Sequence, residues 1–507
     1  MNERVHDFVQ LASVASPDRL AIIAADGRHW SWGDLSAAID DAQKQLKALS
    51  VAPGDRVVLV LENCPEIVAF FFAVTRMEAA AVAVNARMTD AELQRIVDHS
   101  DPSAIVFSTS VPGPSQDHAD AFGATEVTGA FGTAHIVRRE GSLPEPSFAS
   151  ADEQVALLLY TSGTTGAPKA AMLTHTNLMA GARASADMRG MQDQDMTYLA
   201  LPLSHIFGLV TLCAVCFAKG SLRLEARFSA QRLYEALQKD VTLLPAVPQM
   251  HAHLFHYART HGMARYDKGL LRYVSSGGAP LDPSWKREAE AFYGLPLQNG
   301  YGLTECAAGV CATKSAISDP DVSVGVPMLD SELSLDFSVD GAEPDKGIGE
   351  ILVSGPQVMK GYFRDPEQTA PVLSDKGVFR TGDLGRMDEE GRLHIVGRSK
   401  ELIIRSGFNV YPVEVEAALT EHPDVIVAGV VGRAVEGNEE VLAFVKTAKD
   451  SGLTIESLRA HLADRLAPYK RPSRIVIADD LPAAPTGKIL KAKLIPFFAD
   501  VLENDDD

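Results

Sequence analysis

YTSGTTGAPKAAMLTHTNL, residues 160–178, crowds two glycines, a proline, a lysine and four serine or threonine hydroxyls into its first ten positions. The apolar run VALLLY (155–160) leads into it with the length of a buried strand. A plain turn needs only one or two such residues. Glycines at 163 and 166 let backbone amides turn toward an anion. Thr161, Ser162, Thr164 and Thr165 add hydroxyl donors, and Lys169 adds a cation. The run is not a P-loop, because Pro168 stands where that motif needs glycine before the lysine. Read alone it is a strand, a loop and then a helical run. Composition leaves a polyphosphate loop and a flexible surface loop evenly matched.

Upstream, RVVLVLE, the helical CPEIVAFFFAVTRMEA, AAVAVN, DAELQRIVDHS and SAIVFS alternate strand and helix in the manner of parallel sheets covered by helices. Residues 109–150, rich in Gly, Pro, Ser and acidic residues, read as a loop-containing surface segment. From 330 to 400 short strands (ELSLDF, GEILVSG, GRLHIVG) are parted by glycine turns. Beyond 401 strand and helix alternate again over a length sufficient for a small domain. The expected class is α/β: a large N-terminal domain of layered α/β subdomains with a β-rich subdomain, then a small C-terminal α+β domain.

The 507 residues carry 47 basic and 67 acidic side chains, a net charge of −20, which argues against nucleic acid or an anionic membrane as the main partner. A local basic loop for an anionic small ligand remains compatible with that balance. Five cysteines are too few for a disulfide framework. Cys213 and Cys216 have C-x-x-C spacing, but they lie in the apolar LVTLCAVCFA and read as buried helix residues. The N-terminus lacks a signal-peptide pattern, and Arg76 and Glu78 interrupt the best spanning candidate, so a cytoplasmic protein without integral membrane association is expected.

Four further segments carry polar chemistry. LRYVSSGGAPLDPSWKREAEAFYG (271–294) ends a strand at Gly277-Gly278 and starts a helix after Pro283, fitting either a ring laid on the backbone or a tight turn. LQNGYGLTECAAG (297–309) offers Asn299, an aromatic face at Tyr301, and Thr304-Glu305 as hard-cation donors or a helix start. FRTGDLGRMDEEGRLHIVGRSKELIIRSGFNVYP (379–412) places Asp383 between glycines, where an exposed carboxylate could accept two ribose hydroxyls, with Arg398 as a cationic donor. LPAAPTGKIL (481–490) puts Lys488 on a Pro-rich loop.

Together YTSGTTGAPK, SGGAPL, NGYGLTE, RTGDLG, GRSKELI with RSGFNVYP, and PTGKIL stand in the order found in the adenylate-forming superfamily of acyl-CoA synthetases, nonribosomal-peptide adenylation domains and luciferases. The chain resembles that superfamily over nearly its whole length. The resemblance implies an ATP-dependent ligase that uses Mg²⁺, with ATP and CoA as co-substrates and a carboxylic acid as the third. It implies that Thr161, Ser162, Gly163, Thr164, Thr165, Gly166 and Lys169 hold the β- and γ-phosphates, and that Glu305 with Thr161 holds the metal. Thr304 would touch the α-phosphate and Lys488 the transition state. Gly277, Gly278, Ala279, Asn299 and Tyr301 would surround adenine, while Asp383 and Arg398 bind ribose. Residues 1–397 would form the ATP- and acyl-binding domain, 398–402 a hinge centred on Lys400, and 403–507 a mobile domain. Ser406, Gly407 and Phe408 would then face CoA.

His205, in LPLSHIFGL, matches an acyl-pocket position of relatives, although read alone it is an ordinary buried histidine. Phe207, Val247, Ala307 and Gly309 are the other pocket candidates. No aspartate stands near His205 to pair with an amino acid's ammonium, and no lysine or arginine stands beside these segments, which disfavours a diacid. An aliphatic or aryl monocarboxylic acid is the expectation. A ligase that loads a carrier-protein phosphopantetheine shares every motif, though no carrier segment follows residue 507. A non-enzymatic nucleotide-binding protein would hardly keep Lys488, Glu305 and the hinge together. The oligomeric state stays open, a homodimer included.

Overall fold

The computed structural model describes residues 3–161, 169–263, 266, 269–278, 281–406, 408–435, 438–447, 451–483 and 489–503. Two large sheets organise the N-terminal part. One has eight strands and is centred on Arg56–Leu61, which pairs in parallel with Ala80–Asn85 and Ala104–Phe107. All six residues of RVVLVL are buried, as expected for a central strand covered on both faces. The second has nine strands, with a parallel run from Leu20–Ile23 through Ser221–Leu224, Met196–Leu199, Leu243–Ala246 and Tyr273–Gly277 to Leu297–Leu303.

Helix Pro65–Arg76, begun by proline at its first turn and buried from Pro65 to Thr75, packs on Arg56–Leu61 and Ala80–Asn85 of the eight-stranded sheet. One core runs from Val57 and Leu59 through Phe70, Phe71 and Phe72 to Leu212, Leu244 and Val274. The apolar density of this helix therefore serves packing between layers. Among the described residues no helix is long and apolar enough to cross a membrane. Cys213 and Cys216 are buried on helix Ile206–Ala218, as their apolar context indicated, and burial pushes both thiols up.

Residues 109–150 contain loops, as read, and also hold helix Pro114–Ala121 and a hairpin, Thr125–Gly129 with Gly132–Arg138, that extends the eight-stranded sheet at one edge. One local reading is corrected. The loop after VALLLY does not lead straight into a helix. Val155–Thr161 and Lys169–Thr174 form an antiparallel hairpin, with Thr161 opposite Lys169. The helix His175–Arg189 begins only afterwards, at a capping box between Thr174 and Asn177. KAAMLT is short enough to satisfy its backbone by pairing, and the cap then releases the chain into helix.

As expected, residues 332–398 contribute a four-stranded antiparallel sheet of Glu332–Asp336, Gly349–Ser354, Phe379–Met387 and Leu393–Arg398. The small C-terminal α+β unit packs helices Pro412–Thr420 and Ile455–Ala463 on a three-stranded sheet through Val430, Val441, Ala443, Leu458 and Leu462.

His251, fully buried on helix Pro248–Thr260, carries a pH prediction. Its Nε2 lies 3.2 Å from the Ser275 carbonyl and its Nδ1 2.7 Å from the Tyr293 hydroxyl, so the neutral ring donates once and accepts once. Burial lowers its pKa from 6.5 to about 4, and buried His175 is likewise held well below the usual range. The unfolded chain binds protons that these folded rings refuse. Stability present above pH 6.5 is therefore lost as pH falls toward 4. Thermal unfolding should occur at lower temperature at about pH 5 than at about pH 7.5, with a shallower dependence in His251→Gln. An identical pH slope in that variant would remove His251 from the account.

Candidate active site

The site gathers at the C-terminal ends of Tyr273–Gly277 and Leu297–Leu303, where open parallel sheets take ligands. At Gly302 a Cβ would fall 1.7 Å from the Ala308 carbonyl oxygen, so only glycine fits. Ala307 and Ala308 follow with φ of 45° and 79°, two successive left-handed non-glycine residues. Such conformations cost energy and tend to mark working sites. They turn the chain sharply after the short helix Thr304–Cys306, which carries Thr304 and Glu305.

Tyr301 donates its hydroxyl to Asp383 Oδ2 at 2.5 Å, and Arg398 Nε lies 2.9 Å from Asp383 Oδ1. Asp383 and Arg398 face each other across neighbouring strands. Asp383 is only 4% exposed, so the expectation of an exposed carboxylate is corrected. Its second face is covered by Tyr301, which the sequence placed near adenine and not beside the aspartate. Burial, and then the Asp383 charge, holds the Tyr301 phenol far above its ordinary pKa, and it stays a neutral donor. Asn299 donates its amide to Ser323 O at 3.0 Å, while its buried Oδ1 has no partner among the described residues. One acceptor is left there for a ligand donor.

Glu305 accepts from the Tyr362 hydroxyl at 2.9 Å through Oε1, and its carbonyl accepts from Met359 N at 2.8 Å. Lys169 Nζ stands 5.2 Å from the Tyr362 ring centroid, within cation–π range. Tyr362 thus joins the lysine at the loop mouth to the Thr304-Glu305 turn. Nothing in KGYF (360–363) signals that role, because the contact spans 57 residues of chain. The Thr161 hydroxyl and the Glu305 carboxylate are hard oxygen donors, and Oε2 of Glu305 bonds to no described residue. This donor chemistry fits Mg²⁺.

Phe207 and Val247 meet the glycine turn. A Cβ on Gly277 would come within 3.3 Å of Phe207 Cε1, and one on Gly278 within 3.9 Å of Val247 Cγ1. His205 is exposed and not buried as its sequence context suggested. It caps helix Ile206–Ala218 by accepting from Phe207 N at 3.3 Å. Ala307 is fully buried, its carbonyl packed on Gly181 of helix His175–Arg189, and it offers no surface to a pocket. Gly309 packs on Met328. The sequence placed no basic residue beside these segments, but one stands beside Phe207. Arg189, at the end of helix His175–Arg189, holds its guanidinium 6.0 Å from the Phe207 ring centroid and 5.9 Å from that of Tyr273. Eighteen residues and a strand separate Arg189 from Phe207, so no local pattern joins them.

Ser162, Gly163, Thr164, Thr165, Gly166, Ala279, Gly407 and Lys488 lie outside the described residues. Lys400 is exposed in the turn Ser399–Glu401. Ser406 donates its backbone N–H to Asn438 Oδ1 at 2.6 Å, and Phe408, 54% exposed, stacks on Tyr469 with centroids 4.7 Å apart.

A glycine turn, a tyrosine–aspartate–arginine chain and an acidic turn facing a lysine-bearing loop mouth, on this two-part α/β architecture, define an adenylate-forming enzyme. Comparison with known proteins agrees. The AMP-binding enzyme family matches residues 10–363 and the AMP-binding enzyme C-terminal domain matches residues 414–488. The chain belongs to the AMP-binding enzyme family, and it is an acid–thiol ligase of the acyl-CoA synthetase type. It is 34% identical to the 2-succinylbenzoate–CoA ligase of Geobacillus kaustophilus, over 96% of this chain and 97% of that one. It is 31% identical to 4-coumarate–CoA ligase 2 of Oryza sativa subsp. japonica, over 97% and 91%. The structure of o-succinylbenzoate coenzyme A synthetase from Bacillus subtilis in complex with ATP and magnesium ion superposes with a TM-score of 0.81 at 28% identity, covering 96% of this chain and 98% of that one.

Proposed function

We propose that this enzyme activates a carboxylic acid with ATP as an acyl-adenylate, releases pyrophosphate, and transfers the acyl group to the thiol of CoA. A carboxylate is already ionised at neutral pH, so its attack on the α-phosphorus needs no general base. It needs in-line approach and charge neutralisation. Bound magnesium would screen the phosphate charge, held by Glu305 and Thr161. Lys169 and the hydroxyls and amides of residues 162–166 hold the β- and γ-phosphates, and Thr304 binds the α-phosphate. Asp383 and Arg398 take the ribose hydroxyls. Gly277, Gly278, Ala279 and Asn299 form the adenine wall, with the Tyr301 ring as its stacking face. The observation that carries this reading is the Tyr301–Asp383–Arg398 chain, which holds a buried carboxylate and a cation together at the strand Leu297–Leu303 that pairs with Gly277 of the glycine turn.

In the second step the CoA sulfur attacks the acyl carbonyl and the bond to AMP breaks. We assign residues 1–397 to the ATP- and acyl-binding domain, 398–402 to a hinge at Lys400, and 403–507 to a mobile domain that brings Ser406, Gly407 and Phe408 to CoA. The two curated relatives are named for different acids, 2-succinylbenzoate and 4-coumarate. Both acids carry an aromatic ring, while another relative, 29% identical, is named for long-chain fatty acids, so kinship leaves the acid open between aliphatic and aryl bodies.

Acid-dependent turnover should yield AMP and pyrophosphate with pyrophosphatase absent. ADP and phosphate as first products would overturn the reading. Adenylate formation without turnover of free CoA would instead point to a carrier-borne thiol.

A further inference from the structure

Three arginines are buried among the described residues: Arg4, Arg56 and Arg189. Arg4 pairs with Glu78. Arg56 donates through Nε, Nη1 and Nη2 to carbonyls of Gly54, Ser100, Asp101 and Leu143, and it also meets the Asp101 carboxylate. Arg189, 5% exposed, has no carboxylate partner among the described residues. Among the described residues it donates through Nη1 alone, to the carbonyl and hydroxyl of Ser185 one turn earlier on its own helix, and its buried Nε meets no partner. Guanidinium stays charged in proteins, and an unpaired buried charge is among the costliest features a core can hold.

The position of this charge gives it meaning. Its guanidinium faces Phe207, which also abuts Gly277 of the glycine turn, so one aromatic ring stands between the cation and the proposed site of reaction. Tyr273, Ser275 and Gly277 share one face of their strand by the two-residue repeat. On that face Ser275 Oγ is buried and makes no well-formed hydrogen bond, while the Tyr273 hydroxyl is engaged with Met188 Sδ. A cation without a carboxylate among the described residues and a buried hydroxyl that has only Tyr273 beside it thus lie on the same wall.

Resting on the ligase reading above, we propose that Arg189 is the specificity-determining cation of the acyl pocket, and that the substrate is a diacid whose second carboxylate pairs with Arg189, assisted by Ser275. The reacting carboxylate lies at the glycine turn and the acyl body runs along Phe207. Binding completes the ion pair that the folded chain leaves open. This replaces the monocarboxylate expectation, whose premise was that no cation stood beside the pocket.

The test is acid-dependent AMP release by the intact enzyme with length-matched linear monoacids and α,ω-diacids, and with cinnamate against its para-carboxylate. Wild type should prefer the diacid of at least one matched pair by about 100-fold in kcat/KM. Arg189→Met should lose at least about 100-fold on that diacid while keeping the matched monoacid and the KM for ATP, and Arg189→Lys should recover part of the loss. Ser275→Ala, which removes one hydroxyl and leaves no larger cavity, should cost about tenfold on the diacid alone. A wild-type preference for monoacids throughout, or equal losses on both acids in Arg189→Met and Ser275→Ala, would overturn the proposal and leave Arg189 a structural residue. Failure of every acid of both classes to release AMP would count against the ligase reading itself.

Discussion

Lys488→Ala should cut acyl-adenylate formation by about 1000-fold, while the same protein still converts preformed acyl-adenylate and CoA to thioester at a substantial rate. On the proposed mechanism the lysine serves the first half-reaction, its loop covering the adenylate only in that conformation. The structure describes the stem of this loop. Ala483 and Ile489 bridge across it, and Leu490 N donates to Pro482 O at 2.8 Å. Just beyond, Lys491 Nζ sits 2.7 Å from Glu401 and 2.9 Å from Glu416, which ties the loop's exit to the turn carrying Lys400. A rotation about Lys400 would have to carry or break this tie.

The reciprocal variant is Lys400→Pro. Proline fixes φ and resists rotation, so adenylation should survive while thioester formation falls. Loss of both half-reactions to the same extent in a folded Lys488→Ala protein would refute the two-conformation mechanism. The split is measured with pyrophosphate release for the first step and thioester formation from supplied adenylate for the second.

Gly302→Ala should lower adenylation by about 100-fold although glycine has no side chain to offer a substrate. Its new Cβ would sit 1.7 Å from the Ala308 carbonyl oxygen and 2.5 Å from the carbonyl carbon. Both are backbone atoms of the adjoining strand and cannot swing aside, so the turn that carries Tyr301, Thr304 and Glu305 must move. Gly391→Ala is the matched control. That glycine has φ of 74° with nothing within 4 Å of a Cβ. It should cost about 1–2 kcal/mol of stability through backbone strain alone and leave the rate unchanged. Adenylation near the wild-type rate in Gly302→Ala would mean that this turn does not set the geometry of the site.

How far the sequence could be read follows from the range of each interaction. The buried strand RVVLVL, the helix opened by Pro65 and the glycine turn at 277–278 depend on neighbours within a few residues, and their patterns were legible. The strand Lys169–Thr174 was missed because its pairing partner across the loop, not its own composition, holds it extended. The antiparallel hairpin within 125–138 escaped notice for the same reason, since its polar residues resemble a surface loop until they find an edge to extend.

The sequence by itself determined the family, the order of the chemical segments and the residue types each must supply, because those motifs are contiguous and local. Only the tertiary structure decided their electrostatic settings. Tyr301 meets Asp383 across 82 residues, Tyr362 meets Glu305 across 57, and Arg189 reaches Phe207 from a different helix. A linear chain gives no measure of burial, and burial sets the cost of a charge left without a partner. Asp383 is stabilised by two donors that a string of letters holds far apart. Arg189 is left lacking one because folding places it behind an aromatic ring, where no acidic side chain of the described chain reaches.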